Sequence, residues 1–250
     1  MKVQRSSGAL LSGPARPRDP RVGVLVLHGG SADSTVPVGR WSLAALRLVP
    51  VARALARGLP GAAVYRLRNS VRGWNGDGAA VLGDARWALE QIAEHVPGRP
   101  IVVVGHSLGG RVAMHLAATS GRAAETGPAV QTGPAVETGR GGQTARGRAA
   151  AADSVIGAVG LAPWVKPDDP VVGLRGVPIG VVQGTHDRMI PTPTTEPWLA
   201  HATAAGASIR RSVVGGGEHA MLRHYRRWHR LTVESAAWVV QNARRPVGTP

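Results

Sequence analysis

The feature that most restricts the fold is Ile101-Val102-Val103-Val104 running straight into Gly105-His106-Ser107-Leu108-Gly109. Four β-branched residues in a row favour a strand. An unbroken apolar run is what a strand needs when both of its faces are covered, as in a parallel sheet. After Ser107 the spacing turns helical through Ser120, with Val112 and Leu116 on an apolar face. A chain that passes from strand to helix within one residue needs small neighbours at the corner. G-x-S-x-G supplies them, and the strained turn lifts the serine hydroxyl clear of the sheet. In a chain of 250 residues with 34 glycines the pentapeptide alone is weak. The strand before it and the helix after it carry the reading.

The rest of the chain alternates in the same way. Val22 to Leu27 (VGVLVL), Ala62 to Leu67, Ser154 to Leu161, Val177 to Gln183 and Ser208 to Val214 read as strands. Trp41 to Arg57, Gly78 to Val96, Pro197 to Ala205 and Ala220 to Ala243 read as helices, the first of them kinked or split by Pro50. Strands alternating with helices predict an α/β fold, a doubly wound, mostly parallel sheet with helices on both faces. Residues 1–20, rich in Arg, Pro, Gly and Ser, are expected to be a loose arm with at most one short strand, and residues 21–245 a single domain. From Thr126 a hexapeptide repeat, TGPAVQ then TGPAVE, decays into Gly and Arg. Two copies are too few for a solenoid and nothing there can bury a core, so residues 121–152 are expected to be a disordered surface insertion.

A serine hydroxyl is a poor nucleophile at neutral pH and needs a base, itself oriented by a carboxylate. In this topology acid and base lie on loops after later strands, in the order Ser, Asp or Glu, His. Asp187, in GTHDR, lies four residues past the strand ending at Gln183, and His219, in GGGEH, five past the strand ending at Val214. Both fall at carboxyl ends of strands, where open α/β sheets place their ligands. Ser107, Asp187 and His219 are therefore the candidate triad. Asp187 also fits an ordinary turn aspartate capping the next segment. His224 and His229 are rivals for the base, though both are expected inside the closing helix. For the oxyanion, one N–H is expected from Leu108 and a second from Gly30 or Ser31, with Gly30 preferred, after His28-Gly29.

Composition excludes some chemistry. With no Cys there is no disulfide, thiolate metal site or Cys nucleophile. The histidines show no metal-binding spacing, and no metal is expected. The N-terminus lacks the apolar core of a signal peptide and no apolar run approaches 18 residues, so a cytoplasmic protein with no transmembrane segment is expected. The formal charge is +15, and apart from Lys2 and Lys166 all 30 basic residues are Arg. Such a balance suits anionic partners. No nucleic-acid motif accompanies it, so a nucleic-acid role is not expected, and a compositional habit explains the arginines as well.

Taken together, HGG at 28–30, GHSLGG at 105–110, GTHDRMIP at 184–191 and GEHAM at 217–221 resemble the α/β-hydrolase superfamily over roughly residues 22–243, the repeat excepted. The resemblance implies hydrolysis of an ester, thioester or amide without a cofactor. Two departures stand out. The superfamily's first two strands are hard to find in residues 1–20, and only the 15 residues from Ala162 to Gly176 are available for a lid. An open site, covered at most by Trp164 and the loop around Trp74, is expected. The reading is a carboxylesterase-like serine hydrolase acting on a small-molecule acyl substrate. The alternatives are a thioesterase or peptidase with the same site, a non-catalytic or acyl-transfer member, and a binder of an anionic partner through Arg223, Arg226, Arg227 and Arg230 on the closing helix.

Overall fold

The computed structural model describes residues 1–14, 19–125 and 154–243, with the backbone alone at 121–125. The strands are β1 (Lys2–Gln4), β2 (Leu10–Ser12), β3 (Val22–Leu27), β4 (Ala62–Arg68), β5 (Ile101–His106), β6 (Val155–Leu161), β7 (Pro178–Gly184) and β8 (Ser208–Val214). The helices are α1 (Leu43–Leu46), α2 (Leu48–Gly58), α3 (Ala79–His95), α4 (Leu108–Glu125), α5 (Glu196–Ala204) and α6 (Tyr225–Asn242). The described strands form one sheet in the order β1-β2-β4-β3-β5-β6-β7-β8. From β4 to β8 every pairing is parallel; only β1 with β2 and β2 with β4 are antiparallel.

The two faces of the sheet explain the unbroken apolar strands. Leu25, Leu27, Ile101 and Val103 point to one side, into a core shared with α3, α4 and α5. Val24, Val26, Val102 and Val104 point to the other, against Leu48, Val51 and Leu55 of α2 and Trp228 and Val239 of α6. Successive strand residues alternate sides, so both sets must be apolar. With no Phe in the chain, the largest fully buried side chains are Trp198, Trp228 and Tyr65.

The chain runs from β3 outward to β4, then crosses back to β5 on β3's other side. That reversal leaves a crevice at the carboxyl ends of β3 and β5. His28 follows β3 and Ser107 follows β5, so the crevice lies between them.

Several sequence expectations need correction. Residues 1–20 are not a loose arm over their described length, because β1 and β2 form a hairpin on the sheet edge. Ala9 and Leu11 are fully buried. Arg5 and Ser7 reach the buried Asp84 carboxylate at 2.9 and 3.1 Å, and the Ser70 N–H and hydroxyl take its other oxygen at 2.7 and 2.6 Å. The first long helix breaks at Arg47 rather than at Pro50. Pro50 stands in the first turn of α2, where its missing N–H costs nothing. The helix after Ser107 continues to Glu125, five residues past its expected end. The remainder of the expected insertion, 126–152, lies outside the described residues. The closing helix starts at Tyr225, with His224 left-handed at its N-cap (φ 56°) instead of inside it.

Among the described residues no helix is long and apolar enough to cross a membrane. Nor do three or more His, Asp or Glu side chains among them gather as a metal site.

Candidate active site

Ser107 sits at the corner between β5 and α4 with φ 54°. A non-glycine residue there is strained, and such strain is typical where a side chain must be presented. The two motif glycines are required by close approach. A Cβ on Gly105 would lie 2.0 Å from the Gly109 carbonyl oxygen, and one on Gly109 would lie 2.6 Å from the carbonyl oxygens of Leu27 and His28. The corner is fastened on both sides, since Ser107 N–H donates to Leu161 O and Ser107 O accepts from Trp164 N–H, each at 3.0 Å.

The acid and base loops after β7 and β8 are laced together. Thr185 N–H donates to Val214 O, His186 N–H to Gly217 O, and Gly216 N–H to the Thr185 hydroxyl, at 2.9 to 3.1 Å. This brings His219 Nδ1 to 2.8 Å from Asp187 Oδ2. Asp187 Oδ1 accepts the N–H groups of Met189 and Ile190 at 2.9 and 2.8 Å. Asp187 thus caps the turn with one oxygen and meets His219 with the other. Burial pushes the Asp187 carboxyl up, but the hydrogen bonds from His219 and the two amides outweigh it and hold it below the usual carboxylate range. The carboxylate can only accept, so His219 donates from Nδ1 and keeps Nε2 free of a proton. Of the rivals, His224 and His229 stand at and within the start of α6. Glu218 accepts from Arg223 N–H instead of meeting the imidazole.

Two further buried histidines hold this arrangement. His106 Nε2–H donates to the His219 carbonyl oxygen at 2.8 Å, and the two rings lie 4.8 Å apart. Burial, then the neighbouring His219, pushes the His106 imidazole down to about 3, against the pull of that hydrogen bond. His28 accepts from Asn69 N–H at Nε2 (3.1 Å) and donates from Nδ1 to Gly29 O (2.7 Å). Burial lowers its pKa too, so both rings stay neutral. In a trans peptide the C=O and N–H point opposite ways. With the Gly29 carbonyl held by His28, the Gly30 N–H is turned the other way.

Of the two residues considered beside Leu108 for an oxyanion donor, Ser31 is committed elsewhere, its N–H donating to Arg72 O at 3.1 Å. Gly30 remains. Leu108 opens α4, where the first N–H groups have no partner within the helix. His28, Gly29, Gly30, Ser107 and His219 line one cavity of about 740 Å³ at the carboxyl ends of the strands. The structure therefore brings together Ser107, His219, Asp187 and Gly30, with Leu108 next to the serine.

The cover over this cavity differs from the sequence expectation. Trp74 and Trp164 do not line it. They flank the Arg111 guanidinium, 3.9 and 5.0 Å from the two ring centres. Arg111 is buried and forks onto Asp169, which also meets His115 at 3.0 Å and accepts Lys166 N–H at 2.8 Å. The wall comes instead from residues 31–47, including Trp41, Leu43 and Arg47, together with Arg72 and Met189. Sequence reasoning missed these residues. The available signal was the long irregular run after His28, at the carboxyl end of a central strand, where loops carry ligands.

Known proteins resemble this architecture. A family model described as serine aminopeptidase, S33, matches residues 68–155. No curated protein matches the chain. Among solved structures, an alpha-beta serine hydrolase homologue from Coxiella burnetii is 16% identical with a TM-score of 0.61, covering 94% of this chain and 95% of its own. The propionate-bound thermophilic esterase Est2 from Thermogutta terrifontis is 17% identical with a TM-score of 0.64, covering 97% and 92%. XC6422 from Xanthomonas campestris, an a/b serine hydrolase without lid, is 17% identical with a TM-score of 0.58, covering 100% and 95%. At these identities the likeness is one of fold. By strand order, crossover and the serine-bearing corner, this chain has the α/β-hydrolase fold.

Proposed function

We propose that this protein is a serine hydrolase that cleaves a carboxylic ester through Ser107, His219 and Asp187. The observation that carries the reading is the His219–Asp187 pair, 2.8 Å apart, with His219 lining the same cavity as the strained Ser107. In this mechanism Ser107 Oγ attacks the acyl carbonyl while His219 Nε2 takes its proton. The tetrahedral oxyanion accepts from the Leu108 and Gly30 N–H groups. His219 then returns the proton to the leaving alkoxide, giving the free alcohol and an acyl-serine. Water attacks that ester with His219 again as base, releasing the carboxylic acid. Asp187 keeps its charge throughout and balances the transient imidazolium. No cofactor takes part.

An ester is preferred over an amide because the cavity is open and wide, with no helical lid among the described residues between β6 and β7. A thioesterase or peptidase would use the same residues. The test is a panel of 4-nitrophenyl acetate, butyrate and octanoate, the matching thioesters and the matching anilides. The expected result is ester hydrolysis with kcat/KM at least about tenfold above the anilides, a gap of roughly 1.4 kcal/mol in transition-state stabilisation. Folded protein that turns over none of the esters contradicts the reading; a preference for the thioesters moves it to a thioesterase.

A further inference from the structure

The cavity beside Ser107 carries two arginines that the proposed chemistry does not use. Arg47 sits half-buried at the joint between α1 and α2, and Arg72 sits exposed on the loop after β4; both line the cavity with Ser107 and His219. Neither has an ion-pair partner among the described residues. The single acidic side chain on this lining, Asp33, is exposed and pairs with neither. Two other arginines have carboxylate partners. Arg111 is matched by Asp169 and Arg5 by Asp84. A half-buried guanidinium loses part of its hydration, and without an anion in place nothing compensates that loss. Arg47 also lies close enough to the buried imidazoles for its charge to help keep His106 neutral.

The same cavity has an apolar side. Trp41 and Leu43 are on its lining yet 72% and 75% exposed, so they contribute apolar surface that the folded chain leaves uncovered. A ligand that satisfies both halves has an anionic group and an apolar portion.

We propose that the substrate is an ester bearing an anionic group, a carboxylate or a phosphate, held by Arg47 and Arg72 while its apolar portion lies on Trp41 and Leu43. This rests on the hydrolase reading for the turnover and on the cavity alone for the binding. A planar guanidinium forks onto either kind of anion through two parallel N–H donors. For the half-buried Arg47 such a contact is stronger than on open surface. The net charge of +15 adds a diffuse attraction for anions, but it does not choose a position; the two arginines without an ion-pair partner that line the serine's cavity do.

Two measurements test it. The first compares kcat/KM for the monoester 4-nitrophenyl hydrogen adipate with that for its neutral methyl ester. The expected ratio is about tenfold or more in favour of the anion, falling with added salt and falling toward one in Arg47→Gln and Arg72→Gln. The second needs no turnover. Adipate and the neutral adipamide are titrated calorimetrically into Ser107→Ala, with Arg47→Gln and, as a control on the exposed face of α3, Arg86→Gln added in turn. Adipate should bind with one-to-one stoichiometry and adipamide should not. Arg47→Gln should weaken adipate by about tenfold, and Arg86→Gln should leave it unchanged. Adipate that fails to bind, or binds equally to the Arg47→Gln and Arg86→Gln proteins, overturns the anion site even if both esters are hydrolysed, and leaves the hydrolase reading standing. Adipate bound through Arg47 with neither ester hydrolysed does the reverse.

Discussion

Asp187→Asn is expected to lower turnover about 10⁴-fold while the fold survives, the magnitude found when other triads lose their acid. The reason lies in the two oxygens of Asp187. The oxygen that caps Met189 and Ile190 can be kept by an asparagine, so the turn should persist. The oxygen that accepts from His219 Nδ1 becomes an NH₂ group. Facing a donor, His219 must present Nδ1 as an acceptor and move its proton to Nε2, where a base needs a lone pair. Circular dichroism and an ester assay on one preparation check both halves. Activity near wild type in a folded protein would remove Asp187 from the role of acid.

The second large effect is on stability and lies beside the cavity. Asp169→Asn is expected to cost about 3–5 kcal/mol, because it strands the buried Arg111 charge. Both side chains are buried, at 7% and 3% exposure, so solvent does little to soften the loss. Arg111 joins the nucleophile helix to the loop after β6, and Trp74 and Trp164 hold its faces. For a domain of this size a loss of that order lowers Tm by about 10 °C. The double replacement Arg111→Met with Asp169→Leu should recover much of it, since an apolar pair of similar volume is often as stable as a buried ion pair. Thermal melts of the three proteins check this; a single variant as stable as wild type contradicts it. Burial pushes the Asp169 carboxyl up, but the hydrogen bonds from His115 and Arg111 prevail and hold it below the usual range. Its contribution is therefore fully present above the ordinary carboxylate pKa, and is lost only as the pH falls through the lower folded-state value.

The sequence was most legible where burial leaves little choice. β3 and β8 begin and end where their residue patterns place them, and β5 runs only two residues past its apolar stretch, to His106. The placement of Ser107, Asp187 and His219, each after a strand at its carboxyl end, was readable because topology sets that position. The hairpin of β1 and β2 was not readable. Its strands are three residues each, too short to show a period, and they are held largely by distant partners such as Asp84. The break at Arg47 was misplaced because proline was weighed without its position in the turn. Trp164 and the loop around Trp74 were expected over the site because aromatic residues near a cleft invite that reading; Arg72 of that loop does line the cavity, but the two tryptophans do not. Their actual partner, the buried Arg111, is fixed by tertiary packing that local pattern does not encode. The wall from Trp41 to Arg47 is built around α1, a four-residue helix too short for its period to show which way its residues face.

The central claim is that Ser107 is an activated nucleophile. Its most direct test is reaction of the folded protein with a fluorophosphonate probe, followed by mass spectrometry of the digested adduct. Among the described residues Ser107 is the one serine at a left-handed corner, φ 54°, and it lines the same cavity as His219. The account predicts one adduct per chain, on the peptide containing residues 105–110 and assigned to Ser107, lost on heat unfolding and in Ser107→Ala. An adduct on another residue, or no adduct on protein shown to be folded, would contradict it.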